Sequence, residues 1–229
     1  MSVVLLEYKP KHYDTLPPVL EAGRNAEPSG AIDALESSIG DVFIKHGVEK
    51  EFGIILLHNH FALAPTEILV QFGNSAVPWE TARNKNLANV VPAAWRFVED
   101  GLAPYEFTYS KPYHSSSAPV LSLDKHGKFL AELLAILKEN KLEDVLGLVV
   151  LEDKDIHSPA LVEIESGRST IALDVDVDPQ PETDGWIQVV WQFGTKIDAV
   201  GRPVVFKKHK VSHKLSGGEH GGRHLTTNK

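Results

Sequence analysis

The sequence predicts an α+β protein whose mainly antiparallel sheet curls or closes like a barrel. Eight or nine short apolar or alternating segments have the length and composition of strands, and two longer segments have helical periodicity. Strands and helices do not alternate regularly, which argues against a parallel α/β sheet. The 229 residues are 42% hydrophobic and 24% charged, ordinary proportions for one folded domain.

The two ends of the chain differ in composition from its middle. Residues 1–29 contain four prolines and little periodicity, so we expect an irregular N-terminal arm. Residues 207–229 carry six Lys and Arg against one Glu and are rich in His and Gly. We therefore predict one globular α+β domain over residues 1–206, which includes the arm, and a basic C-terminal segment over residues 207–229.

Two helices are predicted from apolar residues that recur every three or four positions. The first covers about residues 30–46, where Ile32, Leu35 and Ile39 share one face and Ser29 is placed to cap the N-terminus. The second covers Lys125–Asn140 and has a broad apolar stripe opposite charged residues.

The strands are predicted from short apolar runs and from alternation. They are Phe52–His60, Glu67–Phe72, Val90–Val98, Leu102–Tyr109, Leu146–Leu151, Ala160–Glu165, Ser169–Val177, Trp186–Phe193 and Arg202–Lys208. Residues 165–168, Glu-Ser-Gly-Arg, predict a tight hairpin between two of them.

Composition excludes several classes of function. The chain has no Cys, which excludes thiolate nucleophiles, disulfides and Cys-based metal sites. Residues 1–206 hold 17 basic against 30 acidic side chains, so we expect no nucleic-acid partner. No apolar run reaches a membrane-spanning length, and the N-terminus does not resemble a secretory signal. We expect a cytoplasmic protein without a membrane partner, and leave a homodimer open.

The strongest chemical signal is a histidine pair in the first apolar strand. Residues 53–61 read Gly-Ile-Ile-Leu-Leu-His-Asn-His-Phe, and on an extended strand the side chains of His58 and His60 share one face. Imidazole is a ligand for zinc, iron, copper and nickel, so the pair predicts a divalent transition-metal site. Glu67 begins the next strand and is predicted as a third ligand or as a general base. The alternative is that both histidines are hydrogen-bonded core residues.

The same segment resembles a known motif. His58-x-His60, followed by Glu67 and Gly73 and preceded by Gly53, resembles the first metal-binding motif of the cupin superfamily. This resemblance implies a small barrel that binds a transition metal through two His, a Glu and a later His. The steps between the residues differ from the cupin pattern, and its second motif is absent. The run Leu-Leu-His-Asn-His-Phe also resembles a motif of uncharacterised fungal proteins.

Further histidines and aromatic residues supply secondary candidates. Four of the 11 His lie in the last 21 residues, and His209 and His213 could return to the sheet as additional metal ligands. The end of this segment is expected to bind metal loosely or not at all. A small ligand would be bound by polar aromatic residues, for which the candidates are Tyr105, Tyr109, His114 and Trp186.

The sequence thus favours a small metal-dependent enzyme that acts on a small organic substrate. Its reaction type stays open between oxygenase, isomerase and hydrolase, with His58, His60 and Glu67 as the catalytic candidates. Two alternatives remain at this point. One is a metal-free protein that binds a small ligand or another subunit, and the other is a cofactor-free enzyme with His58 or His60 as general base.

Overall fold

The computed structural model describes residues 3–82, 87–99, 101–110, 121–151, 155–174 and 186–214. Its strands are β1 (Val4–Leu5), β2 (Phe52–Leu56), β3 (Glu67–Phe72), β4 (Ser75–Glu80), β5 (Val90–Val98), β6 (Gly101–Tyr109), β7 (Leu146–Val150), β8 (Leu161–Glu165), β9 (Thr170–Asp174), β10 (Trp186–Ile197) and β11 (Pro203–Lys214). Its helices are α1 (Lys11–Asp14), α2 (Val19–Ala26), α3 (Ala31–Ala34), α4 (Gly40–His46) and α5 (Leu123–Glu139), with a π-helical turn at Leu35–Ile39 and a 3₁₀ turn at Leu87–Asn89.

Ten strands form one closed ring. They follow the order β6-β3-β4-β9-β8-β11-β10-β2-β7-β5, and β5 pairs with β6 to complete the barrel. Most neighbours are antiparallel, whereas β3 with β6 and β8 with β11 are parallel, and β1 adds to β6 in parallel. The prediction of an α+β fold with a barrel-like, mainly antiparallel sheet is confirmed, with these parallel pairs making the sheet mixed.

Both predicted helices are present. α3, the π-helical turn and α4 run without interruption from residue 31 to 46, and α5 covers the second predicted helix. The ring centroid of Phe43 lies 4.9 Å from that of Phe129 and 4.8 Å from that of Phe193. The two helical segments therefore pack against each other and against β10 through one shared aromatic cluster.

The N-terminal segment differs from the expected irregular arm, because it contains α1 and α2. Pro10 and Pro18 are the N-cap residues of these helices. A proline at the start of a helix loses no hydrogen bond, and its fixed φ suits the first turn, so these prolines begin helices rather than prevent them.

The C-terminal segment also differs at its beginning. β11 continues to Lys214 and pairs along its length with β10, so residues 207–214 belong to the barrel rather than to a separate basic segment. The remainder, residues 215–229, lies outside the described residues.

The centre of the barrel wall is β2, which lies between β10 and β7 and is buried at all five positions. A Cβ atom on Gly53 would stand 2.5 Å from the backbone oxygen of Trp191, so only glycine fits this close approach of β2 to β10. The strand ends at Leu56, four residues earlier than predicted. His58 and His60 therefore lie in the loop that leaves the barrel wall.

Candidate metal centre

The loop with His58 and His60 is held by the N-terminal segment. The backbone nitrogens of His60 and Phe61 donate to the phenol oxygen of Tyr13, at 3.1 and 3.4 Å, and that hydroxyl donates to the oxygen of Phe61 at 3.1 Å. Asn59 donates from its backbone nitrogen to Pro17 and forms a parallel bridge with Pro18. These contacts place the two histidine rings 4.8 Å apart, so the predicted pair forms although the strand does not reach it.

His58 is buried with one ring nitrogen satisfied and the other open. Its Nδ1 lies 2.7 Å from the carbonyl oxygen of Leu56, and because a carbonyl only accepts, Nδ1 carries the proton. Nε2 is then unprotonated and carries a free lone pair. It has no hydrogen-bond partner among the described residues, although the side chain is only 1% exposed. Burial, followed by the charge of His60, lowers the pKa of His58 to about 3, so this ring stays neutral.

The ring of His60 lies between His213 and Glu106. Its Nδ1 lies 3.4 Å from Nε2 of His213 on β11, and its Nε2 lies 3.5 Å from Oε1 of Glu106 on β6. His213 Nε2 is in turn 3.6 Å from Oε1 of Glu165 on β8. Three strands separate β6 from β8 in the ring, so the side chains around His60 come from strands that are not neighbours in the sheet.

Within the described part of the chain, two sets of three side chains could hold a metal ion. One is His58, His60 and Glu163, the other is His60, Glu165 and His213, and in each set one ligand atom from every residue lies within 4.8 Å of the others. A tetrahedral zinc ion with bonds of 2.0–2.1 Å separates its ligand atoms by about 3.4 Å. The nitrogen–nitrogen and nitrogen–oxygen distances of 3.4 and 3.6 Å in the second set are close to that value.

Three acidic side chains surround the ring of His60. Burial acts to lower its pKa, but the carboxylates of Glu163, Glu106 and Glu165 outweigh it and raise the pKa to about 9. Burial raises the pKa of Glu165 as well. In the absence of another cation, the imidazolium of His60 is thus the counter-ion for three carboxylates, two of which have side chains only 19% and 26% exposed.

Glu67 is not part of this centre, contrary to the sequence prediction. Its carboxylate pairs with Arg168 of the β8–β9 hairpin and accepts from the backbone nitrogen of Ala64 at 2.7 Å. The hydrogen bond with Arg168 lowers its pKa. Glu67 belongs to neither three-residue set, because it lies at the start of β3 with its side chain turned to the hairpin.

His213 and His209, the two C-terminal candidates, are separated by the structure. Both lie on β11, which confirms that this segment returns to the sheet, and His213 reaches the centre with 1% exposure. His209 lies four positions before His213 on the same strand and pairs with Trp191 of β10. It belongs to neither set of possible ligands. Four residues of strand span about 13 Å, which is too far for both to reach one ion.

Three of the predicted ligand-binding aromatics, Tyr105, Tyr109 and Trp186, lie within the described residues. Tyr105 is fully buried, with a hydroxyl that has no partner among the described residues. Tyr109 instead lies against Trp79 and Phe72, with ring centroids 5.6 and 5.5 Å away. Trp186 begins β10 and pairs with Lys214. The fourth candidate, His114, lies outside the described residues.

Sequence reasoning missed the carboxylates of the centre, namely Glu106, Glu163 and Glu165. The signal for two of them was present: Glu163 and Glu165 occupy alternate positions in β8, so both face the same side. Their partners across the β8–β9 ladder are Ala172 and Thr170, which are 8% and 1% exposed, so that side is buried. An acidic pair on a buried face needs a cation or a donor, which marks it as a functional candidate.

Comparison of the chain with protein-family models, curated proteins and solved structures found no match. The barrel and its His-containing sets fit the cupin-like resemblance in architecture only. Among the described residues, none of the helices is long and apolar enough to cross a membrane. The candidate metal centre is therefore defined by its own geometry and charge.

Proposed function

We propose that this chain is a metal-dependent enzyme that acts on a small organic substrate, with a divalent transition metal bound by His58, His60 and Glu163. The observation that carries the proposal is the Nε2 atom of His58. It is buried, unprotonated and unpartnered among the described residues, and it belongs to a set whose ligand atoms lie within 4.8 Å of one another. A metal-ligating histidine ordinarily donates its other ring nitrogen to a carbonyl or carboxylate, as Nδ1 of His58 does.

The charge of the site supports a cation over the metal-free alternatives. An ordinary core histidine would have a hydrogen-bond donor facing Nε2 of His58, and a bound cation would balance the three half-buried carboxylates that lie around the His60 ring. The nitrogen and oxygen donors favour zinc, iron, copper or nickel, since no thiolate is present.

The three possible ligands found among the described residues favour a catalytic ion over a purely structural one. Structural zinc sites are closed by four protein ligands, whereas catalytic sites keep a position for water or substrate. A bound metal supplies Lewis-acid activation of water, oxygen or a substrate carbonyl. The protein's own part is to fix the tautomer of His58 through Leu56, to position the backbone of His60 through Tyr13, and to offer Glu106 as a base 3.5 Å from Nε2 of His60.

Metal analysis of the full chain tests the first half of the proposal. The tail substitutions His220→Asn and His224→Asn serve as background, so that tail histidines cannot chelate. We expect bound zinc or cobalt(II) that is lost when His58→Asn is added and retained with His126→Asn, a matched loss of another buried imidazole. Protein that stays free of metal when zinc or cobalt(II) is supplied would remove the metal from the mechanism.

The cobalt(II) form tests the second half. Cobalt(II) reports its coordination through visible absorption, and azide is a small ligand that enters an open position. We expect azide to change the spectrum of the cobalt(II) protein in a saturable way. An unchanged spectrum would show a closed ligand sphere and would contradict the assignment as an enzyme.

A further inference from the structure

The two ring nitrogens of His60 face different partners. Nδ1 faces His213, and Nε2 faces Glu106 on the other side of the ring. The rings of His58 and His213 lie 4.8 and 5.4 Å from that of His60, but 5.9 Å from each other. Both three-residue sets contain His60, yet no single set of ligand atoms within 4.8 Å includes all five residues. The two sets of possible ligands therefore overlap in His60 alone.

We propose that the centre holds two divalent transition-metal ions joined by the imidazole of His60. This inference rests on the proposed function and adds a second ion to it. In this arrangement, Nε2 of His60 would bind the first ion together with His58 and Glu163. The second is bound through Nδ1 of His60 together with His213 and Glu165. The two ring protons of the imidazolium are released to solvent as the ions bind, and no oxidation or reduction takes part.

The charge of the cluster matches two ions better than one. With two ions bound, ionised carboxylates at Glu106, Glu163 and Glu165 would supply three negative charges, and a bridging imidazolate would supply a fourth. Two divalent ions neutralise all four, whereas one ion beside a neutral His60 leaves one negative charge over. Because unpaired charge is costly in a buried site, the arrangement with two ions is the balanced one.

The bridge also determines what the ions can do. Metal–nitrogen bonds of about 2.0–2.1 Å on either side of an imidazole ring separate the ions by about 6 Å. This exceeds the separation of about 3.5–4 Å at which two metals clamp one attacking oxygen. Each ion therefore acts by itself.

Copper(II) loading of the full chain with the two tail substitutions tests this inference. We expect two copper ions per chain and a loss of more than tenfold in the mononuclear copper(II) electron paramagnetic resonance signal at low temperature, because an imidazolate couples two copper(II) spins. Glu165→Gln keeps the shape of the side chain but weakens the second position. We expect it to bind one copper ion and to restore a full mononuclear signal, and we expect His213→Asn to do the same.

The outcomes separate this inference from the proposed function. One copper ion per wild-type chain, removed by His58→Asn, would overturn the second ion and leave the proposed function standing. Two ions with the full uncoupled signal would overturn the bridge. Absence of bound copper and of bound zinc would overturn both proposals. Circular dichroism of each variant establishes that it is folded before its metal content is compared.

Discussion

The phenol oxygen of Tyr13 lies 3.1 Å from the backbone nitrogen of His60, so the first helix of the chain holds the loop that carries the central histidine. The same hydroxyl also contacts both backbone polar groups of Phe61. Helix α2 packs close to the same site. Its Gly23 lies against Ile187, and Ile187 is the residue of β10 that pairs with His213. The N-terminal segment, which is predicted from sequence to be irregular, thus positions the site loop and packs beside it.

We predict that Tyr13→Phe lowers metal affinity by about tenfold, because loss of a group that orients a metal ligand typically costs 10–100-fold. Tyr8→Phe is the matched control. Its hydroxyl also lies in the N-terminal segment but donates to the backbone oxygen of Glu67 instead of the site loop. The measurement is competitive titration of zinc against a chelator. Equal affinities of the two variants would show that Tyr13 does not position the ligand loop.

We predict that Glu163→Gln weakens metal binding by more than tenfold, whereas Glu67→Gln leaves it unchanged. Glu163 belongs to the set of possible ligands with His58 and His60, and Glu67 is paired with Arg168. Both substitutions remove one negative charge and keep the shape of the side chain. Metal content after dialysis against a weak chelator distinguishes them. The reverse order of effects would return Glu67 to the role that the sequence assigned to it.

We predict that His126 makes the protein less stable in acid. The ring is buried, and burial, followed by the charge of Lys125, lowers its pKa below 6.5. The unfolded chain therefore binds a proton below about pH 6.5 that the folded state resists. Stability is complete above that pH and falls as the pH drops towards the folded value, by at most about 1.4 kcal/mol per pH unit.

Urea unfolding at pH 7.5 and 5.5 measures the effect of His126. We expect His126→Asn to lose less stability between these two pH values than the wild type. Its Oδ1 can still accept from the backbone nitrogen of Ser122, as Nδ1 of His126 does. His157→Asn, at an exposed histidine, should follow the wild type. Parallel pH profiles for all three proteins would contradict the prediction.

We predict opposite effects for alanine at two glycines. Gly127 lies inside α5 with open space around its Cβ position, so Gly127→Ala should raise the free energy of unfolding by about 0.5–1 kcal/mol. Gly53→Ala should lower it, because the new Cβ would stand 2.5 Å from a backbone oxygen that cannot move alone. Chemical denaturation compares both with the wild type, and a stable Gly53→Ala protein would show that β2 and β10 can separate.

Much of the fold follows from local patterns. Apolar periodicity over residues 31–46 and in α5 is strong enough to define these helices from sequence, and most strands coincide with apolar runs. β4 was missed because its six residues include Pro78, which weakens the strand signal, and β1 because it has two residues. α1 and α2 do not follow from the local pattern, because proline usually interrupts a helix, whereas Pro10 and Pro18 each begin one.

The site was predicted in part. The histidine pair is visible in the sequence because two imidazoles follow an apolar strand, and His213 was a candidate because the C-terminal segment is rich in histidine. The position of Glu106 in the site could not be predicted, because a register shift interrupts the pairing of β5 with β6. Glu106 and Pro104 pair with Ala94 and Trp95, so Tyr105 between them has no partner and forms a bulge that interrupts the alternation of β6.

The sequence by itself determined the available chemistry: nitrogen and oxygen ligands without thiolates, a His-x-His pair, and the segments that become the barrel wall. Only the tertiary structure decided which acids meet these histidines. Alternation shows which residues of one strand share a face, but not which strands lie opposite each other when a sheet closes. Closure brings β6, β8 and β11 around His60 and leaves Glu67 with Arg168, because spatial neighbours across a barrel are set by strand order and register rather than by distance along the chain.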